Sequence, residues 1–140
     1  MTDEVTMLLR LVLAGTLGAV IGIQREKAGK AAGVRTLALI ALGSSLFTIL
    51  SIFAFETADP ARLAANIVTG IGFLGAGTII LRREEGIVEG LTTAATIWVA
   101  AAIGVAAGAG LYFIAAAAGG LVLVVLLLPH VHSDQGSKKK

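Results

Sequence analysis

The sequence predicts an all-α membrane protein, a bundle of about five transmembrane helices, and three observations support that prediction. Of the 140 residues, 56% are hydrophobic and only 14% are charged. Long uncharged runs recur along the chain, and a water-soluble domain of this size could not bury so much apolar surface. The runs also approach the length of about 20 residues that a helix needs to cross the hydrocarbon layer.

Five segments meet or approach that length. They cover residues 5–23, 36–55, 61–81, 91–107 and 111–128. The last two share one uncharged stretch, in which Gly104, Gly108 and Gly110 indicate a turn, and Pro129 ends the last helix. The N-terminus opens with acidic residues instead of the basic region of a signal peptide, so we expect the first span to be retained in the membrane.

We therefore expect one membrane domain over residues 1–128 and a basic cytoplasmic tail over residues 129–140. The tail contains His130 and His132, which we expect to be solvated and not to hold a metal ion. The sequence contains no cysteine, so it offers neither a disulfide nor a thiolate metal site.

The basic residues predict the orientation, because loops rich in lysine and arginine stay in the cytoplasm. If the first loop is cytoplasmic, that side collects most of the eleven basic residues, namely Arg25, Lys27, Lys30, Arg35, Arg82, Arg83, Lys138, Lys139 and Lys140. The other side retains only Arg10 and Arg62. We expect an outside N-terminus and a cytoplasmic C-terminus, with the Arg10 side chain reaching the outer interface.

The stretch TGIGFLGAGTII, residues 69–80, contains the G-x-G-x-x-G spacing of dinucleotide-binding domains at Gly70, Gly72 and Gly75. That fingerprint requires a strand before the glycines, a helix after them and access of the phosphate from water. Here the glycines lie inside an apolar span. We therefore expect helix packing at this motif instead of nucleotide binding.

On a helical projection of the third span, the bulky and the small side chains separate. The bulky stripe comprises Leu63, Ile67, Ile71, Leu74, Thr78 and Leu81, and the opposite arc comprises Ala61, Ala64, Ala65, Gly72 and Gly75. Small residues let helix backbones approach closely in hydrocarbon. We therefore expect the bulky stripe to face lipid, the small residues to contact another helix, and the third span to be the central helix.

The first and fourth spans each contain two glycines four residues apart. The predicted helix-packing glycines are therefore Gly18, Gly22, Gly70, Gly72, Gly75, Gly77, Gly104 and Gly108.

Four polar residues lie at the predicted membrane depth: Asn66, Thr69, Thr92 and Thr96. For Asn66, the sequence favours a hydrogen bond to another helix over a polar binding site, because an amide in hydrocarbon needs a partner. We expect Thr92 and Thr96 to bond backbone carbonyls four residues earlier in their own helix.

Three segments together carry a resemblance: GAVIGIQREKAGKAAGVRT, DPARLAANIVTGIGFLGAGTII and VEGLTTAATIWVAAAIGVAAGAGLY. They resemble the MgtC/SapB family of bacterial membrane proteins, over about residues 15–128. The resemblance implies a multi-span protein of the inner membrane that is linked to magnesium limitation and, in some pathogens, to survival inside host cells. It also implies a possible action on other membrane machines, such as the ATP synthase.

The resemblance also implies site residues. The family's basic motif, in a cytoplasmic loop, corresponds to Gln24, Arg25, Glu26, Gly33, Arg35 and Thr36, and its outer entry to the third span corresponds to Asp59, Pro60 and Arg62. Gln24 stands where a glutamate is common in the family, which weakens the case for a cation-binding carboxylate. MgtC itself has a larger C-terminal soluble domain, and we expect no function of that domain here.

The charged residues at the span ends leave several interpretations open. The basic residues of the first loop could bind anionic lipid headgroups or an acidic partner, or they could only fix the orientation. The Arg25–Glu26 pair could interact with the charged segment 82–85. Asp59 is expected to cap the helix that begins at Pro60, and it could also cluster with Glu56 and Arg62.

The sequence favours a non-enzymatic protein, because no nucleophile with an acid or base lies in the spans. We expect no cofactor and no nucleic-acid partner; the chain should act in the lipid bilayer, by helix packing with itself or another membrane protein. The alternative is a transporter or channel for Mg²⁺ or another cation. Mg²⁺ prefers carboxylate oxygens, however, and none of the five predicted spans contains an acidic residue.

Overall fold

The computed structural model describes residues 3–55, 59–82 and 87–129. Within these ranges the chain forms five helices and one short hairpin, namely α1 (Asp3–Lys27), α2 (Val34–Phe53), α3 (Pro60–Ala76), β1 (Ile80–Arg82), β2 (Ile87–Glu89), α4 (Leu91–Gly108) and α5 (Tyr112–Leu127). Helices α1, α2 and α4 are long and apolar enough to cross a membrane, and α5 is a shorter apolar helix. The helical class and the five helices therefore agree with the sequence prediction.

The bundle has two ends, which we name by the connections they carry. The loop end holds residues 28–33 between α1 and α2, the β1–β2 hairpin and the last turn of α5. The turn end holds the first turns of α1 and the tight turn between α4 and α5, where Gly110 has φ of 84°. Of the three glycines that indicate a turn in the sequence, only Gly110 lies in it, because Gly104 and Gly108 belong to α4.

Helix α3 begins as the sequence predicts and ends earlier. Asp59 caps it, since its Oδ1 accepts a hydrogen bond of 2.9 Å from the Ala61 amide, and Pro60 occupies the first turn, where a missing N–H costs nothing. The helix ends at Ala76, although the predicted span runs to residue 81.

The residues after α3 form an antiparallel hairpin in which Ile80 pairs with Glu89 and Leu81 with Val88. The sequence led us to expect helix and loop here, but β-branched residues flank the charged segment and favour strands. Gly90 closes the hairpin with φ of 90°, against the Thr78 carbonyl group. The tip, residues 83–86, lies outside the described residues, as do residues 56–58 and the predicted tail from residue 130 on.

Helix α4 forms the centre of the bundle and contacts each of the other four helices. Helices α1, α2 and α4 all pack against one another. The core consists mainly of small and branched residues from these three helices and α5, namely Ala14, Ile21, Leu37, Ala41, Ile97, Ala100, Ile103, Ala107 and Ala115. The short 28–33 connection makes α1 and α2 antiparallel, whereas α2 and α4 run parallel, because Gly104 lies at Ala41 and Gly108 at Ser45.

Four of the predicted packing glycines lie where helix backbones touch. A Cβ atom on Gly22 would lie 2.5 Å from the Val34 Cα atom, and one on Gly18 would overlap the Leu37 carbonyl group. On the other side of α2, a Cβ atom on Gly108 would lie 2.6 Å from the Ser45 carbonyl oxygen, and one on Gly104 would overlap the Ala41 carbonyl group. The backbones of α1 and α4 therefore lie so close to α2 that a methyl group on any of these four glycines would not fit.

Helix α3 lies at the periphery, so the prediction that the third span is the central helix is wrong. Gly75 is the one buried residue of Pro60–Ala76, and a Cβ atom there would make ordinary contact, 3.5 Å from the Ala94 carbonyl oxygen. Gly70 and Gly72 have open space where a Cβ atom would be, and the nearest atoms to such a Cβ on Gly77 belong to its own helix. At none of these glycines does the backbone of another helix lie as close as the α2 backbone lies to Gly22.

The described part of the bulky stripe of α3 lies along a groove with α2 and not on the outward side of the bundle, which corrects the sequence prediction. Leu63, Ile67, Ile71 and Leu74 line a groove against α2, whereas Gly72 is exposed. Periodicity shows which residues share a face but not which neighbour that face meets. Here the main neighbour of α3 is α4, which Gly75 meets at Ala94, while the bulky residues border the open groove beside α2.

We predict that Gly104→Ala destabilises the bundle, because the new methyl group overlaps the α2 backbone. Overpacking of this kind costs about 1–3 kcal/mol. Gly120→Ala is the matched control, since Gly120 has open space on α5; it should leave stability unchanged or raise it by up to about 1 kcal/mol. Denaturant titration in detergent micelles, followed by circular dichroism, measures both. Equal stability of the two variants would contradict the backbone contact.

Candidate functional site

The motif Gln24-Arg25-Glu26 lies in the last turn of α1, not in the loop where the sequence prediction put it. The helix continues to Lys27, and the Ala28 and Lys30 amides still bond the Gln24 and Arg25 carbonyls. Basic residues favour a helix C-terminus, where they oppose the negative end of the dipole. The three side chains are therefore held by a helix and point to different neighbours.

Arg25 is buried, with 4% of its surface exposed, and connects α1 to α4. Its Nη2 donates to the Thr93 hydroxyl at 2.5 Å, between residues 68 positions apart. Its Nε has no hydrogen-bond partner in the described part of the chain. Thr93 lies in the first turn of α4, where the helix dipole is positive. The guanidinium thus makes the interior at the loop end electropositive.

The neighbours of Arg25 in the motif tie α1 to two other helices. The Gln24 amide nitrogen donates to the Leu126 carbonyl of α5 at 3.3 Å, and its Oε1 is buried without a partner in the described residues. The Glu26 Oε2 accepts a hydrogen bond of 3.1 Å from the Val34 amide, the first of α2. Glu26 therefore caps α2, and three consecutive side chains join α1 to α5, α4 and α2.

Arg35, the fourth residue of the predicted loop set, is exposed in the first turn of α2. It lies with Glu26, Lys30 and Thr36 around a hollow of about 250 Å³. We call this the loop-end hollow.

Arg10 forms a second polar junction at the turn end, which the sequence did not reveal. Its Nη1 donates to the Gly108 carbonyl at 2.7 Å and its Nε to the Tyr112 hydroxyl at 3.3 Å. The guanidinium carbon lies 5.4 Å from the centre of the Phe53 ring. Arg10 was expected to extend to the interface, but the last carbonyls of α4 lack helical partners and attract a cation. It joins four helices.

The outer-entry residues Asp59 and Arg62 do not form an ion pair. Asp59 acts as the cap of α3, while the Arg62 side chain is exposed and has no partner in the described residues. Glu56, the third member of the possible cluster, lies outside the described residues. So does most of the charged segment 82–85, so its pairing with Arg25 and Glu26 stays a prediction.

Two of the three threonines predicted to lie at membrane depth bond their own helices. Thr96 donates to the Thr92 carbonyl at 2.7 Å and Thr69 to the Ala65 carbonyl at 3.1 Å. Thr92 is exposed and its hydroxyl has no partner among the described residues. No sequence signal singled out Thr93, the threonine that meets Arg25, because its partner lies on a distant helix.

Asn66 does not make the helix-to-helix hydrogen bond that the sequence favours. Its side chain is exposed and, within the described residues, unpartnered. It lines the groove between α2 and α3, which has a volume of about 520 Å³ and is otherwise lined mostly by apolar side chains. We call this the α2–α3 groove.

The described residues contain no group of three or more histidine, aspartate, glutamate or cysteine side chains that could hold a metal ion. His130 and His132 lie outside the described residues, so their predicted solvation stays a prediction.

Comparison with known proteins identifies the family. A model described as the MgtC family matches residues 11–134. The chain belongs to the MgtC family. The resemblance carried by the three sequence segments is thereby confirmed. No solved structure matches the chain significantly.

Three relatives show how far the similarity extends. The Escherichia coli K12 protein named "Putative magnesium transporter YhiD" is 44% identical, over 93% of this chain and 62% of its own length. MgtC of Salmonella typhimurium LT2 is 47% identical over 86% of this chain and 51% of its length. SapB of Bacillus subtilis is 45% identical over 76% of this chain and 49% of its length. The chain thus spans about half to three fifths of these MgtC-family relatives.

We predict that Thr93→Val destabilises the bundle, because it leaves the buried Arg25 guanidinium without its hydroxyl partner. Losing a hydrogen bond to a charged group costs about 1.5–3 kcal/mol. Thr93→Ser keeps the hydroxyl and should lose less. Thr92→Val, at an exposed neighbouring position, is the control and should change stability by less than about 0.5 kcal/mol. Unfolding in micelles measures all three, and equal losses for both valine variants would refute the role of the Arg25–Thr93 bond.

Proposed function

We propose that this chain is a non-enzymatic, multi-pass protein of the bacterial inner membrane that serves magnesium homeostasis or stress adaptation through helix contacts. Membership of the MgtC family and the names of its relatives support the link to magnesium. The three membrane-length helices support the membrane location. The partner in these contacts is a second copy or another membrane protein.

The observation that carries this proposal is the outer face of α3. Small residues recur there at helical spacing, and all are exposed: Ala61, Ala65, Thr69, Gly72 and Ala76. In hydrocarbon, large apolar side chains gain no hydrophobic free energy when two helices associate, whereas small residues allow the two backbones to pack closely. Inside the bundle, small residues such as Gly22 and Gly108 already contact the backbone of α2. On the outer face of α3, small residues are exposed, so they are available for the same kind of contact with another chain.

The interior offers poor conditions for a magnesium path. A divalent cation entering at the loop end would meet the buried Arg25 and the positive end of α4. In the middle of the bundle, Leu37, Ala41 and Ile103 are fully or almost fully buried and apolar. Mg²⁺ sheds water reluctantly and needs oxygen ligands. These features favour a protein that acts through its surface.

The proposed orientation puts the loop end in the cytoplasm and the turn end outside. Arg25, Lys27, Lys30 and Arg35 all lie at the loop end, whereas Arg10 is held at the turn end. This distribution follows the retention of basic residues on the cytoplasmic side.

Transport of Mg²⁺ or another cation is the second candidate, and the name of the YhiD relative favours it. Asn66 is the residue that such a path would use, because it is an exposed amide with no partner in the described residues. The path would then run along the outside of α3, between copies.

The contact face is testable by cysteine crosslinking, which has no background because the chain lacks cysteine. Thr69→Cys, oxidised in membranes, should give a disulfide-linked dimer when the partner is a second copy, because each copy then supplies one thiol. Adding Gly72→Leu should lower the yield about tenfold, which corresponds to about 1.4 kcal/mol of lost packing. The added side chain meets open space within its own chain, so the fold itself should tolerate it.

Gly120→Leu is the matched control, because Gly120 is also open but lies on α5. It should leave the crosslinking yield unchanged. If Gly72→Leu retains the full yield, or if Thr69→Cys gives no dimer, copies of the chain do not contact each other on this side of α3.

A further inference from the structure

The loop-end hollow and the α2–α3 groove follow one another along the same face of α2. Arg35 and Thr36 line the hollow, and Leu39 and Ile40, four residues further on, line the upper part of the groove. Residues four apart on a helix lie one above the other. A polar site therefore passes directly into an apolar one.

The loop-end hollow carries an excess of positive charge. Lys30 and Arg35 contribute two cations to its lining against the single carboxylate of Glu26. That carboxylate is already engaged as the cap of α2, through the Val34 amide. Neither Lys30 nor Arg35 pairs with a carboxylate in the part of the chain that the structure describes. The Thr36 hydroxyl adds a neutral donor, so the hollow suits a phosphate group.

The α2–α3 groove suits a hydrocarbon chain. Its walls are mainly aliphatic and aromatic, with Ser44 and Asn66 as the polar members, and its volume is about 520 Å³. Gly43 on α2 and Gly70 on α3 both line it, and neither would bring a Cβ atom within 4 Å of another atom. The missing side chains on both walls keep the groove open.

The dimensions fit one leaflet of a bilayer. From Arg35 to Phe47, at the far end of the groove, α2 rises about 18 Å at 1.5 Å per residue. Half of the hydrocarbon core is about 15 Å thick. A headgroup in the hollow would thus place one acyl chain along the groove to about the middle of the bilayer.

We propose that this surface is a binding site for an anionic phospholipid, with the phosphate in the loop-end hollow and one acyl chain in the α2–α3 groove. The proposal goes beyond the contact face of α3 and shares with it only the position of the chain in the bilayer. The excess of cations selects an anionic headgroup over a zwitterionic one. The groove selects a lipid over free phosphate, since Leu39 at its near end and Phe47 at its far end are 68% and 55% exposed.

The headgroup is tested by native mass spectrometry of the whole chain in detergent, titrated with phosphatidylglycerol or phosphatidylcholine. Phosphatidylglycerol should bind more tightly. Lys30→Gln and Arg35→Gln should each weaken it about fivefold, and both together about thirtyfold. Glu26→Gln keeps an oxygen for the Val34 amide and should tighten binding. Arg62→Gln, an exposed arginine away from the hollow, is the control and should bind phosphatidylglycerol like the unchanged protein.

The acyl chain is tested by filling the groove. Gly43→Leu and Gly70→Leu should each reduce binding of long-chain phosphatidylglycerol at least fivefold, whereas Gly120→Leu, equally open but on α5, should not. Millimolar inorganic phosphate should not displace the lipid. Circular dichroism checks that each variant keeps its helices.

Four results would overturn the proposal: equal affinity for both lipids, equal effects of Arg35→Gln and Arg62→Gln, displacement of the lipid by inorganic phosphate, or equal loss of binding in Gly120→Leu and Gly43→Leu. Each of these results is independent of crosslinking at α3, so the two proposals can fail separately.

Discussion

Contact between the backbone of α2 and the glycines of its two neighbours is the constraint on which the rest of the bundle depends. In hydrocarbon, helices gain no hydrophobic free energy by associating, so the bundle relies on close van der Waals contact. Gly22 on α1 and Gly108 on α4 supply it from opposite sides. The same contacts leave no space for a hydrated ion between α1 and α2 or between α2 and α4. The dense packing that stabilises the bundle thus also closes its interior.

Because the interior is closed, the charged side chains that join the helices lie at the two ends of the bundle. Arg25 joins α1 to α4 at the loop end, and Arg10 joins α1 to the last carbonyl of α4 and to Tyr112 at the turn end. Arg10 lies where the last carbonyl groups of α4 can accept its hydrogen bonds, and Arg25 is buried at the other end against the Thr93 hydroxyl. We propose that recognition uses the outside, namely the small-residue face of α3 and the surface that runs along α2 from the loop-end hollow. In this MgtC-family chain, function is therefore expected at the surface.

The sequence predicted several local features correctly, such as the bounds of α4 and a helix cap. It missed the contacts between residues that are far apart along the chain. Hydropathy placed the fourth span at residues 91–107, and α4 covers Leu91–Gly108; the Asp59 cap was also read correctly. The contact of Arg25 with Thr93 spans 68 positions and has no local signature. The glycines of the third span were read as central, yet small size allows a close contact without specifying its partner. The same residue type is packed in α1 and open in α3.

The central claim is that the chain works through contacts at its surface and does not carry magnesium across the membrane. Its most direct test is Mg²⁺ entry into proteoliposomes that contain the purified chain and a magnesium-sensitive dye, compared with empty vesicles across an imposed gradient. The account predicts the same slow leak in both. Protein-dependent Mg²⁺ entry that is lost in Asn66→Leu and retained in the control Thr92→Val would contradict it, and would make the chain a carrier.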